Sequence, residues 1–389
     1  MQCFEFDRLV ERAGAGSLKE AMTPLAVKEA GLVSYWGAEF EFPGCPAFSE
    51  GVAECARRGL YAFTRQDDAY NERIVWWLKA MRDWEIRPEW IVPTHGTIFA
   101  LATAIRLFVG EGENMIVITP GYNRYKQAAD RLGRGTVTSR MDYDEKTGCY
   151  QIDWEYLSQK LSRAENRLLV VCNPNNPTGQ TLKEEELKHI HELSMQHQVP
   201  VFCDEIFAEV ILEGGTITPF GKAAGPDSLA ITCTSLGKCM SLTGVNHANV
   251  IIPNEKLRER YICQKYADHY GSIDPMLYSG VQHACTQAGK EYVLALREVV
   301  RENRRILTEG LGRLLPEANL VPAKATYLCW IDYSGLGLGD RALAGFLERL
   351  LFAGDAGSEY GASDQFYRYS IAVPTWAVEK SLAYMEKML

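Results

Sequence analysis

Between residues 115 and 252 the chain alternates short, unbroken apolar runs with stretches of helical periodicity. Few folds accept that pattern. The runs occupy 115–120, 168–172, 199–204, 229–234 and 249–252. Unbroken runs of this length fit strands covered on both faces, as in a mainly parallel sheet, whereas a sheet with one wet face would alternate apolar and polar residues. Next to them, 97–108 sets Ile98, Leu101, Ala102, Ile105 and Phe108 on one helical face. Thr181 is placed to cap a helix running to His197, with Glu184 at capping-box spacing. Strands alternating with helices predict an α/β domain with right-handed crossovers.

The pattern changes after about residue 253. A long helical stretch over 275–315 carries Arg297, Arg301, Arg304 and Arg305. The segments 326–332 and 367–372 read as strands, and a closing helix follows Pro374, a residue suited to a first helical turn. The first 45 residues hold few strand signals. The expected organisation is an N-terminal arm (1–45) packing on the small domain, a large domain (46–275) and a smaller α+β C-terminal domain (276–389). A length of 389 residues accommodates two or three domains.

Composition removes several classes of function. The hydrophobic fraction of 47% and charged fraction of 23% exclude disordered and fibrous chains. The net charge of −9 argues against a nucleic-acid partner. No apolar run approaches the ~18 residues of a membrane span. The start, Met1-Gln-Cys-Phe-Glu-Phe-Asp7, lacks the basic and apolar regions of a signal peptide. Eleven cysteines, an odd number without C-x-x-C spacing, point to a reducing cytoplasm rather than a disulfide scaffold. Cys172, Cys203, Cys233 and Cys329 read as small core residues. The seven histidines offer no metal-ligand set; His189 and His191, two apart, fall on different helix faces.

Three motifs follow successive expected strands. Asn173-Pro-Asn-Asn-Pro-Thr-Gly179 is a rigid turn that lifts side chains from a strand's C-terminal end, where open α/β sheets bind ligands. Alone it could be an ordinary turn with asparagine as turn former. Val201-Phe-Cys-Asp204-Glu205 ends the next strand with two acids, which could simply reach water. Ser235-Leu-Gly-Lys238 places a lysine beyond the third, where desolvation would lower its pKa and make the amine a nucleophile. Together they form the constellation that pyridoxal phosphate needs. The lysine forms a Schiff base, the aspartate keeps the pyridine nitrogen protonated, and the asparagine donates to the phenolic oxygen. Gly96-Thr97-Ile98 opens the amphipathic helix, so its free amides and the Thr97 hydroxyl can hold the phosphate. Ser235 could add a donor. Tyr122, after another strand, could stack on the ring or equally be packing.

With these motifs in place, the chain resembles fold-type I pyridoxal phosphate enzymes, and among them the cystathionine β-lyase (C–S lyase) branch of the class I/II aminotransferase family. The resemblance spans nearly the whole chain. Trp36-Gly-Ala-Glu-Phe-Glu-Phe42 is similar to that branch's W-V-A-D-M-D-F, and Thr326-Tyr-Leu-Cys-Trp-Ile-Asp332 to its T-Y-L-x-W-L-D. It implies a mainly parallel seven-stranded sheet in the large domain and a homodimer with sites at the subunit interface. By position, Lys238 matches the Schiff-base lysine and catalytic base. Asp204 matches the pyridinium partner, Asn176 the phenolic-oxygen donor and Tyr122 the stacking aromatic. Gly96, Thr97, Ile98 and Ser235 fall on phosphate-binding positions, and Arg368 on the clamp for the substrate α-carboxylate.

Some positions depart from the pattern. Aminotransferases of the family carry an arginine on the cofactor phosphate where this chain has Asn246; the lyase branch commonly lacks it too. Phe207 stands where relatives have Tyr or His and cannot hydrogen-bond the cofactor. Phe63 replaces a tyrosine that reaches the neighbouring subunit's site. Thr375, Gly237, Glu39 and Glu41 differ as well. The implied function is carbon–sulfur β-elimination from a cysteine S-conjugate or cystathionine-like amino acid, in a specialised biosynthetic setting. An aminotransferase, or a β/γ-replacement enzyme acting on a larger amino acid, uses the same groups and remains the alternative.

Overall fold

The computed structural model describes residues 4–389. Met1, Gln2 and Cys3, which the reading of the N-terminus used, lie outside the described residues. Eight strands form the main sheet: β1 (Ile91–Thr94), β2 (Asn114–Thr119), β3 (Gly135–Asp144), β4 (Cys149–Ile152), β5 (Asn166–Cys172), β6 (Val201–Asp204), β7 (Ala230–Thr234) and β8 (Ala248–Ile251). Their spatial order is β1-β8-β7-β6-β5-β2-β3-β4. The ladders β7–β6, β6–β5, β5–β2 and β2–β3 are parallel. The edges are antiparallel: β8 runs against both β7 and β1, and β4 against β3. The sheet therefore has one strand more than the expected seven. The addition, β4, is the return arm of a hairpin on β3, short and half-exposed, so it left no apolar run in the sequence.

The unbroken apolar runs are explained by what covers each face. Met115, Val117, Leu168, Val170, Phe202 and Ile231 pack with Ala100, Leu101, Ala104 and Ile105 of the helix Thr97–Phe108. The alternate residues, Ile116, Ile118, Leu169, Val171, Val201 and Cys203, pack with Leu187, Ile190 and Leu193 of the helix Glu184–His197. With both faces buried, period two is invisible.

Two local expectations change. The second of these helices is capped at Lys183, not Thr181: Glu186 accepts the Lys183 amide at 2.7 Å. The chain before it is held extended because Asn173 Oδ1 takes the Leu182 amide at 2.9 Å. The stretch 275–315 is two helices, Pro275–Ala284 and Gln287–Leu314. Thr286 between them is extended, and its hydroxyl donates to the His283 carbonyl at 2.8 Å, closing the first and opening the second. In a second, antiparallel sheet the order is β11 (Asp355–Ala356), β12 (Phe366–Ser370), β10 (Leu328–Asp332), β9 (Asn319–Leu320). The N-terminal segment runs beside it, with the Ser370 amide on the Tyr35 carbonyl and the Glu41 amide on the Ala372 carbonyl, both at 2.9 Å.

Behind the main sheet lies a buried ion cluster. Arg82 pairs with Glu205 at 2.9 Å and Glu209 at 2.7 Å, and none of the three side chains is more than 1% exposed. Trp77 Nε1 also donates to Glu209, and the Phe220 amide to Glu205. Burial pushes the Glu205 carboxyl up to about 7, with Arg82 opposing. Removing Arg82 strands two carboxylates without water. Arg82→Ala should lower unfolding stability by about 3–5 kcal/mol in urea melts, whereas Arg305→Ala, which breaks exposed pairs with Glu302 and Glu309, should leave the midpoint unchanged.

Candidate active site

Strands β2, β5, β6 and β7 are neighbours and parallel, so their C-terminal ends open on the same side. Tyr122 follows β2, the asparagine–proline turn follows β5, Asp204 ends β6, and Ser235–Lys238 follow β7. A cavity of about 450 Å³ lies there, bordered also by the start of the helix Thr97–Phe108 and by β11 and β12. Gly96, Thr97, Ile98, Tyr122, Asn176, Asp204, Phe207, Ser235, Lys238 and Arg368 all line it. Every site residue named from the sequence thus meets the same cavity, although they come from six separate segments.

Lys238 is half-buried, and its ammonium has no carboxylate within ion-pair distance among the described residues. Burial, helped by Arg368, draws its pKa down from 10.5 to about 8, against the pull of Glu39 and Asp204. Its Nζ donates to the Ala38 carbonyl at 3.0 Å, and lies 5.9 Å from the centre of the Phe207 ring. Phe207 is buried against Tyr327, with ring centres 5.4 Å apart. It offers the amine an aromatic face and no hydrogen bond.

Asp204 is 2% exposed. Burial raises its pKa, opposed mainly by hydrogen bonds that favour the carboxylate. Oδ2 accepts the Tyr125 hydroxyl at 2.6 Å, and Oδ1 accepts the Ile206 amide at 3.1 Å. Those two donors hold the carboxylate in place at the cavity wall.

Gly96 sits at φ +88°, where a side chain would be strained, and directs the first turn of its helix into the cavity. The amides of Thr97 and Ile98 have no intrahelical acceptor. Asn246 stands next to Gly96, and neighbouring His247 is buried and held neutral, its pKa drawn down to about 4 by desolvation. Ser235 lines the cavity and also has a structural part. Its hydroxyl donates to the His247 carbonyl at 2.6 Å and accepts the Gly237 amide at 3.0 Å, closing the turn that presents Lys238.

Arg368 is 3% exposed. Its Nη1 donates to Asn176 Oδ1 at 3.0 Å. Nε and Nη2 both donate to Asp355 Oδ2, at 3.0 and 2.5 Å. Tyr125, Asp355 and the Ala38 carbonyl were not found from the sequence. Tyr125 could have been, standing three residues beyond Tyr122 on the next helical turn. Asp355 carried no local signal, because its partner is reached only across the β11–β12 ladder. Cys172, read as a core residue, lies at the cavity wall with Sγ 3.2 Å from the Pro174 carbonyl. The described residues include no cluster that could hold a metal ion.

The donor set fits pyridoxal phosphate. It provides a lysine of lowered pKa, a buried carboxyl held in place by two donors, and a glycine-exposed helix start for a phosphate. Residues 44–369 match the family described as Aminotransferase class I and II. The chain is 27% identical over 361 residues to cystathionine β-lyase PatB of Bacillus subtilis, covering 92% of each protein. It is 24% identical over 384 residues to protein MalY of Escherichia coli, covering 98% of this chain and 97% of that one. Among solved structures it matches cystalysin of Treponema denticola, which contains a pyridoxal 5'-phosphate cofactor, with TM-score 0.91 and 25% identity over 100% of this chain and 99% of the other.

In the cofactor-free protein, labelling of the Lys238 amine by an acylating reagent, followed by peptide mass spectrometry, should titrate with a midpoint near about 8. Exposed lysines should titrate near 10.5. A midpoint for Lys238 at the ordinary lysine value would show that burial does not tune it.

Proposed function

The chain belongs to the class I and II aminotransferase family, and from that premise we propose that it is a pyridoxal phosphate-dependent carbon–sulfur β-lyase acting on a cysteine S-conjugate or cystathionine-like amino acid. The observation that carries this reading is the convergence of Lys238, Asp204, Asn176 and Arg368 on one cavity. The likeness to a cystathionine β-lyase over 92% of the chain supports it, as does Asn246 in place of the arginine that aminotransferases of the family carry.

The cofactor, when bound, supplies an electron sink for charge developing at the substrate Cα. The protein's residues do the rest. The amides of Thr97 and Ile98 would hold the phosphate. The carboxylate of Asp204 would hold a proton on the pyridine nitrogen, steadied by Tyr125 and Ile206. Asn176 would donate to the phenolic oxygen, and Tyr122 would cover one face of the ring. Arg368 would orient the amino acid by its α-carboxylate. The Lys238 amine would take the α-proton as general base, its pKa lowered to about 8 so that it sheds its proton far more readily than an ordinary lysine. A thiolate leaves from Cβ, and the remaining fragment hydrolyses to a keto acid and ammonia.

We also assign the chain a homodimeric state. Leu60, Tyr61 and Phe63 are 65%, 61% and 100% exposed, an apolar group expected to be covered. No helix among the described residues is long and apolar enough to cross a membrane. The ten described cysteines are all free, which suits the cytoplasm.

Purified holoenzyme given cystathionine or an S-substituted cysteine, without a keto acid, should yield pyruvate, ammonia and thiol in equal amounts. Lys238→Ala should lower kcat by ~10²–10⁴-fold or more. Product formation that requires a keto-acid acceptor would identify an aminotransferase instead, and incorporation of an added nucleophile a replacement enzyme. In sedimentation, the wild type should run at twice the chain mass and Phe63→Asp should shift towards the monomer. A monomeric wild type would overturn the dimer.

A further inference from the structure

The clamp arginine already has an internal carboxylate. Asp355 and Arg368 are direct partners across the β11–β12 ladder. The strands meet closely there, since a Cβ on Gly354 would come 2.3 Å from the Arg368 carbonyl oxygen. Both side chains are nearly sealed from water, at 4% and 3% exposure, and both border the cavity. Of the five guanidinium N–H groups, Asp355 takes two through Nε and Nη2, and Asn176 takes one through Nη1. One N–H remains on each terminal nitrogen, and the ring of Tyr360 lies 4.9 Å from the guanidinium carbon. A substrate carboxylate therefore docks on an arginine whose charge is already balanced, with a like charge one guanidinium away.

We infer that Asp355 sets substrate class: it neutralises the carboxylate clamp, so that the site takes amino acids whose side chain is cationic or neutral overall, the zwitterionic arm of cystathionine included, and rejects those whose side chain is net anionic. The other charges at the cavity agree. Glu39 and Glu359 line it, and Glu39 is tied to Arg12 at 2.9 Å. Among the described residues, the lysine or arginine on the wall other than Lys238 and Arg368 is Arg124, which is exposed. A second substrate carboxylate without an ammonium of its own would find no buried partner. This rests on the reading of Arg368 as the clamp, and the test separates the two.

Unreactive acids probe the clamp without turnover. Binding of propionate and succinate to the holoenzyme is measured by calorimetry for wild type, Asp355→Asn and Arg368→Ala. Asparagine keeps an acceptor for Nε and Nη2 but removes the charge. Propionate should bind Asp355→Asn about ten-fold more tightly than wild type, the order expected when a close like charge is removed, and Arg368→Ala should lose it. Loss in Arg368→Ala with unchanged or weaker binding in Asp355→Asn would sink the role of Asp355 and leave the clamp standing. Retention in Arg368→Ala would overturn the clamp and, with it, this inference. Should Asp355→Asn fail to fold, wild type alone decides: propionate should bind at least as tightly as succinate, and several-fold preference for succinate overturns the proposal.

Discussion

Four parallel ladders in a row, from β7 through β6, β5 and β2 to β3, determine where chemistry can happen in this protein. A parallel strand cannot return by a hairpin, so each crossover runs through a helix and each strand ends on the same side. The turns after β2, β5, β6 and β7 are thereby brought together without being near in sequence. The hydrophobic layers on the two faces fix the register, and the register fixes which side chain stands at each strand end. The antiparallel strands β8, between β1 and β7, and β4, at the far edge, contribute no strand-end group of this kind. They close the sheet where the parallel pattern stops.

Around that opening the protein buries several charges, and it treats arginine and lysine differently. An arginine cannot shed its proton at any ordinary pH, so when buried it must be paired. Arg82 has Glu205 and Glu209, and Arg368 has Asp355. A lysine can lose its proton, so a lysine buried without a partner becomes a base. Lys238 is the case in point. The same desolvation that would make an unpaired arginine intolerable draws the pKa of this amine down to about 8. Pairing thus differs by residue type: the buried arginines Arg82 and Arg368 have carboxylate partners, and Lys238 has none within ion-pair distance among the described residues.

The sequence carried the α/β class, the five buried central strands and the helix over 97–108, because covered strands and an amphipathic helix write themselves as local patterns. It carried Lys238, Asp204 and Asn176 because strand ends are local too. The adjacent acids Asp204 and Glu205 show the boundary of that legibility. One faces the cavity and the other reaches Arg82, and nothing in the dipeptide distinguishes them; only the alternation of side chains at the end of β6 does. The helix cap failed at Thr181 because Asn173, nine residues earlier, ties down the chain before the helix. The break at Thr286 was hidden by continuous helical periodicity on both sides. Tyr125 and Asp355 act through tertiary contacts, and Arg368 was found only through the family resemblance.

The Ala38 carbonyl shows how Lys238 can be both held and released. It receives three donors: Lys238 Nζ at 3.0 Å, the Tyr327 hydroxyl at 3.1 Å and the Thr243 hydroxyl at 3.3 Å. A carbonyl oxygen has two lone pairs, so the three compete. If the lysine were its sole partner, departure of the amine would strand an acceptor and cost about 1–3 kcal/mol. With Tyr327 and Thr243 remaining, both lone pairs stay occupied when the amine moves away. Phe207 adds only a weak attraction of its ring for the ammonium form, and that vanishes as soon as the amine is neutral. The lysine is therefore tethered while charged and loosely held once it has lost its proton, which is the state that its proposed role as base requires.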